Sequence, residues 1–328
     1  MQARRLLFVA PRRVELAPVD VPEPGPGQVL VRTLHSGIST GTELLGYRGL
    51  VDPDLPLDER LGALGGTFGY PFPYGYSCVG EVERATGIPA GTLVFAFHPH
   101  QDRFVVDESD VMALPAGVGS REATLFPLVE TGLQVSLDAG QVTQETVVVL
   151  GLGAVGILTA LLLQRAGSDV LAADPLAERR ELARSLGIPA VAPEELPARL
   201  PAAGVPLLVE LSGAPAALAD ALPLLAHEGT ALVGSWYGRQ QVPLPLGGAF
   251  HRRRLTIRSS QVSTIPAALA GRWDVARRRS AAAALLDVLP LAALATTEFP
   301  FDEAPLAYEA LDRRAPGVVH VALRYPQP

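Results

Sequence analysis

The sequence predicts a two-domain α/β protein, in which an irregular β domain is followed by a doubly wound parallel sheet. The chain has 328 residues and is 48% apolar, which is enough for two domain-sized cores. Residues 6–114 contain short β-type runs separated by Pro and Gly clusters. From residue 120 to about residue 279, apolar runs alternate with helical segments rich in Ala, Leu and Arg, which is typical of βαβ units.

The individual elements follow from these runs. In the β-rich part, strands are expected at "VLVRTLHSGI", "SCVGEVERA", "TLVFAF" and "RFVV", with a turn at "VPEPGPGQ". The segment "VDPDLPLDERLGALGGTFGYPFPYG" is a long loop, and loops of this length are usually functional or mobile. In the second part, strands are expected at "TVVVLGLG", "SDVLAAD", "LLVELSG", "TALVGSW" and "LTIRSS", and the tail is predicted as strand, helix, strand.

Composition excludes several classes of function. A net charge of -7 and a pI near 5.4 provide no basic field for nucleic acid or an anionic membrane, so neither partner is expected. The chain contains no lysine, which excludes a Schiff-base lysine and a P-loop lysine. Its one cysteine, Cys78, excludes an intrachain disulfide and a multi-cysteine zinc cluster. This cysteine usage fits a reducing cytosol, so a cytoplasmic location is expected.

The uncharged segment "VVVLGLGAVGILTALLL" covers residues 147–163 and has the composition of a membrane span. Its length is at the short limit for spanning a bilayer, and it contains three spaced glycines. We interpret it as a buried strand followed by a buried helix.

The same segment contains a dinucleotide-binding pattern. Gly151, Gly153 and Gly156 have G-x-G-x-x-G spacing between a strand-like run and a helix-like run. The glycines allow a tight turn, close approach of backbone N–H groups to a pyrophosphate, and close packing of helix on strand. Ala154 and Val155 lie between the last two glycines, at the predicted helix N-terminus that faces the anion.

Asp174 ends the next apolar run, eighteen residues after Gly156, where an acid can accept hydrogen bonds from ribose hydroxyls. Its carboxylate would repel a 2′-phosphate, so NAD is favoured over NADP, although Arg179 and Arg180 follow closely and could offset the repulsion. Ser212 and Ser235 follow later strands, at the sheet edge where cofactors bind, and are therefore predicted to be cofactor neighbours.

The first domain contains the polar turn "SGISTGTE" at residues 36–43 and a glycine–aromatic pair at Gly75 and Tyr76 before "VGEV". Together with the glycine motif, these features resemble the medium-chain dehydrogenase/reductase superfamily over essentially the whole chain. The resemblance implies a GroES-like catalytic domain at residues 1–122 and 282–328, and a Rossmann dinucleotide-binding domain at residues 123–281. The short motifs "SGISTGTE" and "LVETGL" look most like bacteriochlorophyllide dehydrogenase members.

Zinc members of the superfamily carry a cysteine in this turn, and Ser39 or Thr40 stands at that position here. The family's histidine ligand corresponds to Tyr76, and Glu130 matches a third ligand position in some members. The four-cysteine structural zinc lobe is also missing. Because hydroxyl groups are poor zinc ligands, we expect no catalytic zinc. The alternative is a different metal site in which His98 and His100 join Glu130.

Without zinc, another group must supply the proton that accompanies hydride transfer. The resemblance places Thr42 at the family's proton-relay hydroxyl; Thr42 is alternatively, or in addition, the N-cap of a helix beginning "ELLGY". Tyr76 is the favoured acid, because a nearby cation could lower its pKa, with Ser39 as a further candidate. The alternative for Tyr76 is an aromatic ring that packs under the nicotinamide.

These interpretations predict an NAD(H)-dependent oxidoreductase that transfers hydride between nicotinamide and a carbonyl or alcohol. One alternative is a zinc-free NADPH quinone or enoyl reductase. Another is an NAD-binding sensor or degenerate protein without catalysis, motivated by the missing ligands and by Leu45 at the family's basic histidine. A small-molecule substrate and a homodimer or homotetramer are expected.

Overall fold

A computed structural model describes residues 1–327. Within it, the chain forms two compact units, one made of residues 1–127 and 283–327, the other of residues 128–282. The units divide at Pro127 and Ala282, whereas the resemblance implied boundaries at residues 122 and 281.

The strands are β1 (Gln2–Ala10), β2 (Arg13–Asp20), β3 (Gln28–Ile38), β4 (Phe72–Pro73), β5 (Cys78–Arg84), β6 (Leu93–Ala96), β7 (Arg103–Asp107), β8 (Val111–Ala113), β9 (Thr146–Leu150), β10 (Asp169–Ala173), β11 (Ala190–Val191), β12 (Val205–Glu210), β13 (Leu225–Val233), β14 (Thr256–Ser259), β15 (Thr297–Pro300) and β16 (Val321–Arg324). The helices are α1 (Glu43–Arg48), α2 (Ser120–Ala123), α3 (Phe126–Ala139), α4 (Ala154–Arg165), α5 (Ala177–Ser185), α6 (Leu196–Arg199), α7 (Pro215–Ala221), α8 (Val275–Leu285) and α9 (Ala304–Asp312).

The first unit contains two sheets built mainly from antiparallel strands. β2, β1 and β4 form the smaller sheet, and the larger one has the order β15-β16-β3-β5-β6-β8, with β7 also paired to β3. β16 runs antiparallel to β3, with Val321 opposite Ile38. The last strand of the chain therefore completes a sheet that begins near the N-terminus.

The long loop of the first unit is anchored by its apolar side chains. Leu57, Leu64 and Phe68 are buried in the same core as Phe8 of β1. Burial of these side chains removes apolar surface from water and holds the loop against the sheet.

The second unit is a parallel sheet with the order β11-β10-β9-β12-β13-β14. This is the strand order of a doubly wound dinucleotide-binding fold, in which the order reverses beside the first strand, here β9. Val147, Val148 and Val149 of β9 are fully buried, as a central strand covered on both faces requires. The carboxyl ends of β9, β10 and β12 lie along one edge of this sheet.

The predicted α/β fold class is confirmed. The uncharged segment at residues 147–163 lies in strand β9, the glycine turn and helix α4, as interpreted from its glycines. Among residues 1–327, no helix combines the length and apolar character needed to cross a membrane.

Candidate functional site

The glycine turn lies at the carboxyl end of β9, and its three glycines have different surroundings. Gly151 has φ of 92°, and a Cβ there would lie 2.5 Å from the Ser212 Cα. A Cβ on Gly156 would lie 1.8 Å from the Gly151 carbonyl oxygen. By contrast, no described atom lies within 4 Å of a Cβ built on Gly153. The first and third glycines are therefore required by packing, whereas the second leaves open space at the start of α4.

Helix α4 offers backbone donors at this open space. The Ile157 N–H donates to the Gly153 carbonyl at 3.0 Å. The N–H groups of Ala154, Val155 and Gly156 precede the first carbonyl that the helix can offer them. Such N–H groups, together with the positive end of the helix dipole, favour a phosphate anion.

Asp174 follows β10 and is almost completely buried. Its Oδ2 accepts a hydrogen bond from the Leu152 N–H at 2.8 Å, and its Oδ1 accepts one from the Leu176 N–H at 2.9 Å. The Arg179 guanidinium lies 3.8 Å from Oδ2, whereas Arg180 donates to the carbonyls of Asp174 and Pro175. The carboxylate is thus held against the glycine turn, with one arginine beside it.

Ser212 and Ser235 lie on neighbouring loops at the same sheet edge, and the Gly213 N–H donates to the Ser235 Oγ at 2.9 Å. Sequence reasoning missed Glu210, a fully buried carboxylate that organises these loops. Its Oε1 accepts from the Ser212 N–H at 2.7 Å and from the Ser212 hydroxyl, and its Oε2 accepts from the Tyr237 hydroxyl at 2.6 Å. The sequence feature that could have identified Glu210 is a charged residue at the end of an apolar strand.

The second unit therefore presents backbone donors, an open space at Gly153 and a fixed carboxylate along one sheet edge. This combination fits a dinucleotide, whose pyrophosphate requires N–H donors and close backbone approach and whose ribose hydroxyls require an acceptor.

In the first unit, Ser39 and Tyr76 are brought together. The Tyr76 hydroxyl donates to the Ser39 Oγ. Burial raises the pKa of Tyr76 to about 12, and the carboxylates of Glu43 and Asp58 also raise it, whereas hydrogen bonds with Ser39 and Thr42 lower it. The expectation that a cation lowers the pKa of Tyr76 is therefore wrong, because the neighbouring charges are carboxylates.

Thr42 directly precedes α1, but its side chain makes no capping hydrogen bond. Its backbone has φ of −92° and ψ of −49°, which is a helical rather than an extended N-cap conformation. The Glu43 side chain instead reaches back, and its Oε1 accepts the Ser39 N–H at 2.7 Å. The interpretation of the Thr42 hydroxyl as an N-cap is thus wrong, and the hydroxyl contacts Tyr76 instead.

His98 and His100 behave differently from each other. His98 Nδ1 lies 2.9 Å from the Pro99 carbonyl, and its ring stacks on Phe104. His100 is fully buried, and its two nitrogens lie 2.7 Å from the Ser36 Oγ and 2.9 Å from the Glu43 Oε2. Both nitrogens of His100 therefore contact residues distant along the chain within the first unit, whereas Nδ1 of His98 contacts the next residue.

Glu130 forms a buried ion pair in the second unit. Its Oε1 accepts from Nε and Nη2 of Arg278 at 3.1 and 2.9 Å, and Nε of Arg279 lies 3.5 Å away. The ion pair could not be predicted from the sequence, because Arg278 lies 148 residues after Glu130 and no motif links the two.

These contacts test whether the family's zinc would fit. Ser39 and Tyr76 offer hydroxyl oxygens that are bonded to each other, and the Glu130 carboxylate is neutralised by arginine. Within residues 1–327, no three His, Cys, Asp or Glu side chains are grouped so as to hold a metal ion. This donor set does not fit zinc, which prefers nitrogen, thiolate or free carboxylate ligands. For the alternative metal site, His98 and His100 have hydrogen-bond partners within the first unit, and Glu130 is paired with arginine within the second.

Known proteins resemble this chain in sequence. A family model described as zinc-binding dehydrogenase matches residues 154–276. The 2-desacetyl-2-hydroxyethyl bacteriochlorophyllide A dehydrogenase of Rhodobacter capsulatus is 27% identical over 72% of this chain and 74% of its own length. The protein of that name from Cereibacter sphaeroides is 37% identical, but the match spans only 29% of this chain and 27% of that protein. D-guloside 3-dehydrogenase of Escherichia coli is 26% identical over 69% of this chain and 72% of its own length.

The fold is also found in solved structures. The crystal structure of 2R,3R-butanediol dehydrogenase from Bacillus subtilis superposes with a TM-score of 0.79 at 18% identity, covering 99% of this chain and 100% of that one. The shared fold, the family match that begins at the start of α4 and the relatives named above all indicate the same kind of protein. The chain is therefore similar in sequence to zinc-binding dehydrogenases and shares the fold of 2R,3R-butanediol dehydrogenase.

Proposed function

We propose that this protein is an NAD(H)-dependent oxidoreductase that interconverts a carbonyl compound and its alcohol without catalytic zinc. The observation that carries the proposal is the carboxyl edge of the parallel sheet, where the open Gly153 position and the buried Asp174 carboxylate flank the start of α4. Gly151, Gly153, Ala154, Val155 and Gly156 would hold the pyrophosphate, and Asp174 would accept from the ribose hydroxyls.

The preference for NAD over NADP rests on the charge of Asp174. A 2′-phosphate at the ribose would meet this carboxylate, which two backbone N–H groups hold in place. Arg179 at 3.8 Å reduces the repulsion. That arginine is also the observation that favours the second candidate, an NADPH-dependent quinone or enoyl reductase.

The absence of catalytic zinc in this proposal rests on the ion pair between Glu130 and Arg278. Arg278 supplies the positive charge that neutralises the one candidate carboxylate ligand. A zinc ion would have to displace a buried guanidinium, which leaves that charge without its partner.

The chain's hydroxyl groups would manage the proton. When bound, the nicotinamide supplies the hydride that converts the carbonyl carbon into an alcohol carbon. Tyr76 would then turn its phenolic proton from the Ser39 Oγ to the developing alkoxide oxygen, and the hydroxyls of Ser39 and Thr42 would stabilise the resulting phenolate through hydrogen bonds. In the oxidative direction, the same phenolate takes up the alcohol proton.

The test combines cofactor binding, metal content and turnover. Thermal shift measurements should give a larger increase in Tm with NADH than with NADPH, and replacement of Asp174 by Asn should reduce this difference. Elemental analysis of the purified protein should find no stoichiometric zinc. Reduction of benzaldehyde, acetoin, 1,4-benzoquinone and 2-cyclohexenone would be followed at the nicotinamide absorbance.

Each alternative predicts a different outcome. A larger shift with NADPH, together with activity confined to the quinone or enone, would favour the second candidate. Binding of NADH without turnover of any probe would favour a sensor or degenerate protein. One zinc per chain would contradict the zinc-free mechanism.

We also propose a cytoplasmic homodimer or homotetramer acting on a small-molecule substrate. This assignment rests on the family resemblance and on the single cysteine, and sedimentation of the purified chain tests the oligomeric state.

A further inference from the structure

Five fully or almost fully buried polar side chains form a continuous hydrogen-bonded array in the first unit: Ser36, Glu43, His100, Tyr308 and Tyr325. Glu43 Oε2 contacts both the His100 Nε2, at 2.9 Å, and the Tyr308 hydroxyl. On the other side of the imidazole, Nδ1 lies 2.7 Å from the Ser36 Oγ, which in turn lies 2.9 Å from the Tyr325 hydroxyl.

One direction of donation satisfies the whole array. In this direction, Tyr325 donates to Ser36, Ser36 donates to His100 Nδ1, and His100 Nε2 donates to Glu43. Tyr308 and the Ser39 N–H supply further donors to the same carboxylate. The Glu43 carboxyl group therefore accepts from three donors, and these hydrogen bonds compensate for its removal from water.

The carboxylate end of the array fixes the backbone of Ser39. The Ser39 N–H donates to Glu43 Oε1 at 2.7 Å, and the Glu43 N–H donates to the Ser39 carbonyl at 2.9 Å. Both backbone polar groups of Ser39 are thus bonded to one residue. The remaining freedom of the Ser39 hydroxyl is rotation about its own side-chain bond.

The imidazole end fixes the segment that leads to Tyr76. The His100 N–H donates to the Tyr74 carbonyl at 3.1 Å. The His100 ring fills the space beside Gly75, where a Cβ would lie 2.4 Å from Cδ2. His100 therefore packs against the residue that immediately precedes Tyr76.

We propose that Glu43 and His100 are positioning residues that together set the contact between Ser39 and Tyr76. Glu43 holds the Ser39 backbone, His100 holds the backbone that carries Tyr76, and the bond between the two side chains fixes the two segments relative to each other. The importance of this contact for turnover rests on the proposed function, whereas the geometry does not.

The test uses Glu43→Gln, which keeps the length of the side chain but replaces one carboxylate oxygen by an amide N–H₂ group, so that either the Ser39 N–H or the donors of His100 and Tyr308 lose their acceptor. In protein labelled with 13C at the tyrosine ζ carbon, the Tyr76 resonance is assigned from the spectrum of Tyr76→Phe. We expect Glu43→Gln to shift this resonance. With NADH and the fastest of the four carbonyl, quinone and enone probes, kcat should fall about tenfold while KM is unchanged.

Thr33→Val is the matched control. Thr33 is also fully buried in the first unit, and its hydroxyl donates to the Gln101 carbonyl at 2.5 Å, outside the array. It should lower stability while leaving the Tyr76 resonance and kcat unchanged. If Glu43→Gln does not fold, Tyr308→Phe alone, which deletes one donor to the carboxylate, provides the same resonance test.

An unchanged Tyr76 resonance in a folded Glu43→Gln protein would overturn the proposal, as would an equal loss of kcat in Thr33→Val. The resonance requires no turnover, so it still decides the positioning role if none of the probes is reduced. In that case the proposed function is contradicted, whereas the positioning role is still decided by the resonance.

Discussion

Tyr76 illustrates how a single side chain depends on its surroundings. Its hydroxyl is surrounded by other hydroxyls and carboxylates, and burial raises its pKa to about 12. The phenol therefore stays protonated across the neutral range, which suits a group that donates a proton during carbonyl reduction. Oxidation of an alcohol would need the less stable phenolate.

Replacement of Tyr76 by Phe tests this role directly. Loss of a general acid typically costs about 10²–10⁴-fold in rate, so kcat of Tyr76→Phe should fall by at least about 10²-fold with little change in KM. Steady-state kinetics with NADH on the fastest probe measures the effect. Tyr74→Phe is the control, because its buried hydroxyl makes only a 3.5 Å contact with the Leu57 carbonyl. Full activity in Tyr76→Phe would exclude Tyr76 as the acid.

Two glycines of the turn should respond in opposite ways to the same substitution. Gly153→Ala meets open space and a backbone φ of −70° that alanine adopts freely, so Tm should be unchanged. Its added methyl group should nevertheless weaken NADH binding by about tenfold, because it enters the space the pyrophosphate would occupy.

Gly156→Ala is the contrasting variant, since its Cβ would lie 1.8 Å from a backbone oxygen. It should lower Tm as well as cofactor affinity. Thermal unfolding and NADH fluorescence titration measure both quantities. Unchanged NADH affinity in Gly153→Ala would place the pyrophosphate elsewhere.

At the scale of elements, helix α3 carries a polar stripe that is buried rather than solvated. Glu130, Gln134 and Asp138 follow one another at four-residue spacing and lie on one face of the helix. Arg278 of α8 bonds both Glu130 and Gln134, and the Ser260 hydroxyl donates to Asp138 at 2.6 Å. The stripe therefore attaches α8 and the end of β14 to α3.

Replacing Arg278 alone should lower the free energy of unfolding. Arg278→Leu leaves the Glu130 carboxylate buried without its principal partner, and breaking a buried pair in this way typically costs about 3–5 kcal/mol of unfolding free energy. Urea unfolding of the purified protein measures the loss. Most of this loss comes from the unpaired Glu130 carboxylate. The double variant Glu130→Leu/Arg278→Leu should therefore be more stable than Arg278→Leu. A double variant less stable than Arg278→Leu would contradict this account.

At the scale of the whole molecule, buried neutral histidines make stability depend on pH. Burial lowers the pKa of His98 and of His320 from 6.5 to about 4. The Thr124 hydroxyl donates to the Arg121 carbonyl, so His320 Nε2 must donate to Thr124, and Nδ1 has no described partner. Protonation would add an N–H with no acceptor inside the core.

The unfolded chain therefore binds more protons than the folded one between pH 6.5 and about 4. Stability from His320 is fully present above pH 6.5 and is lost as pH falls through this window, at up to about 1.4 kcal/mol per pH unit. His320→Gln cannot titrate and should flatten the dependence of unfolding free energy on pH. Denaturant unfolding between pH 4 and pH 7 measures the slope, with the exposed His251→Gln as control. An unchanged slope in His320→Gln would show that the residue does not titrate as described.

The fold class and the dinucleotide turn follow from local features of the amino-acid sequence. The turn, α4 and Asp174 all belong to one strand–helix–strand unit, so spacing along the chain reports their positions in space. Glycine spacing and apolar runs are local signals, because each reflects backbone and burial requirements of neighbouring residues.

The partners of the buried charges, in contrast, lie far apart along the chain. His100 contacts Glu43 across 57 residues, Tyr308 contacts the same carboxylate across 265, and Arg278 contacts Glu130 across 148. Thr42 does occupy the N-cap position of α1, but the side chain that bonds the turn is that of Glu43. A buried charge requires a partner, but the identity of that partner depends on which distant segments the folded backbone brings within hydrogen-bond distance.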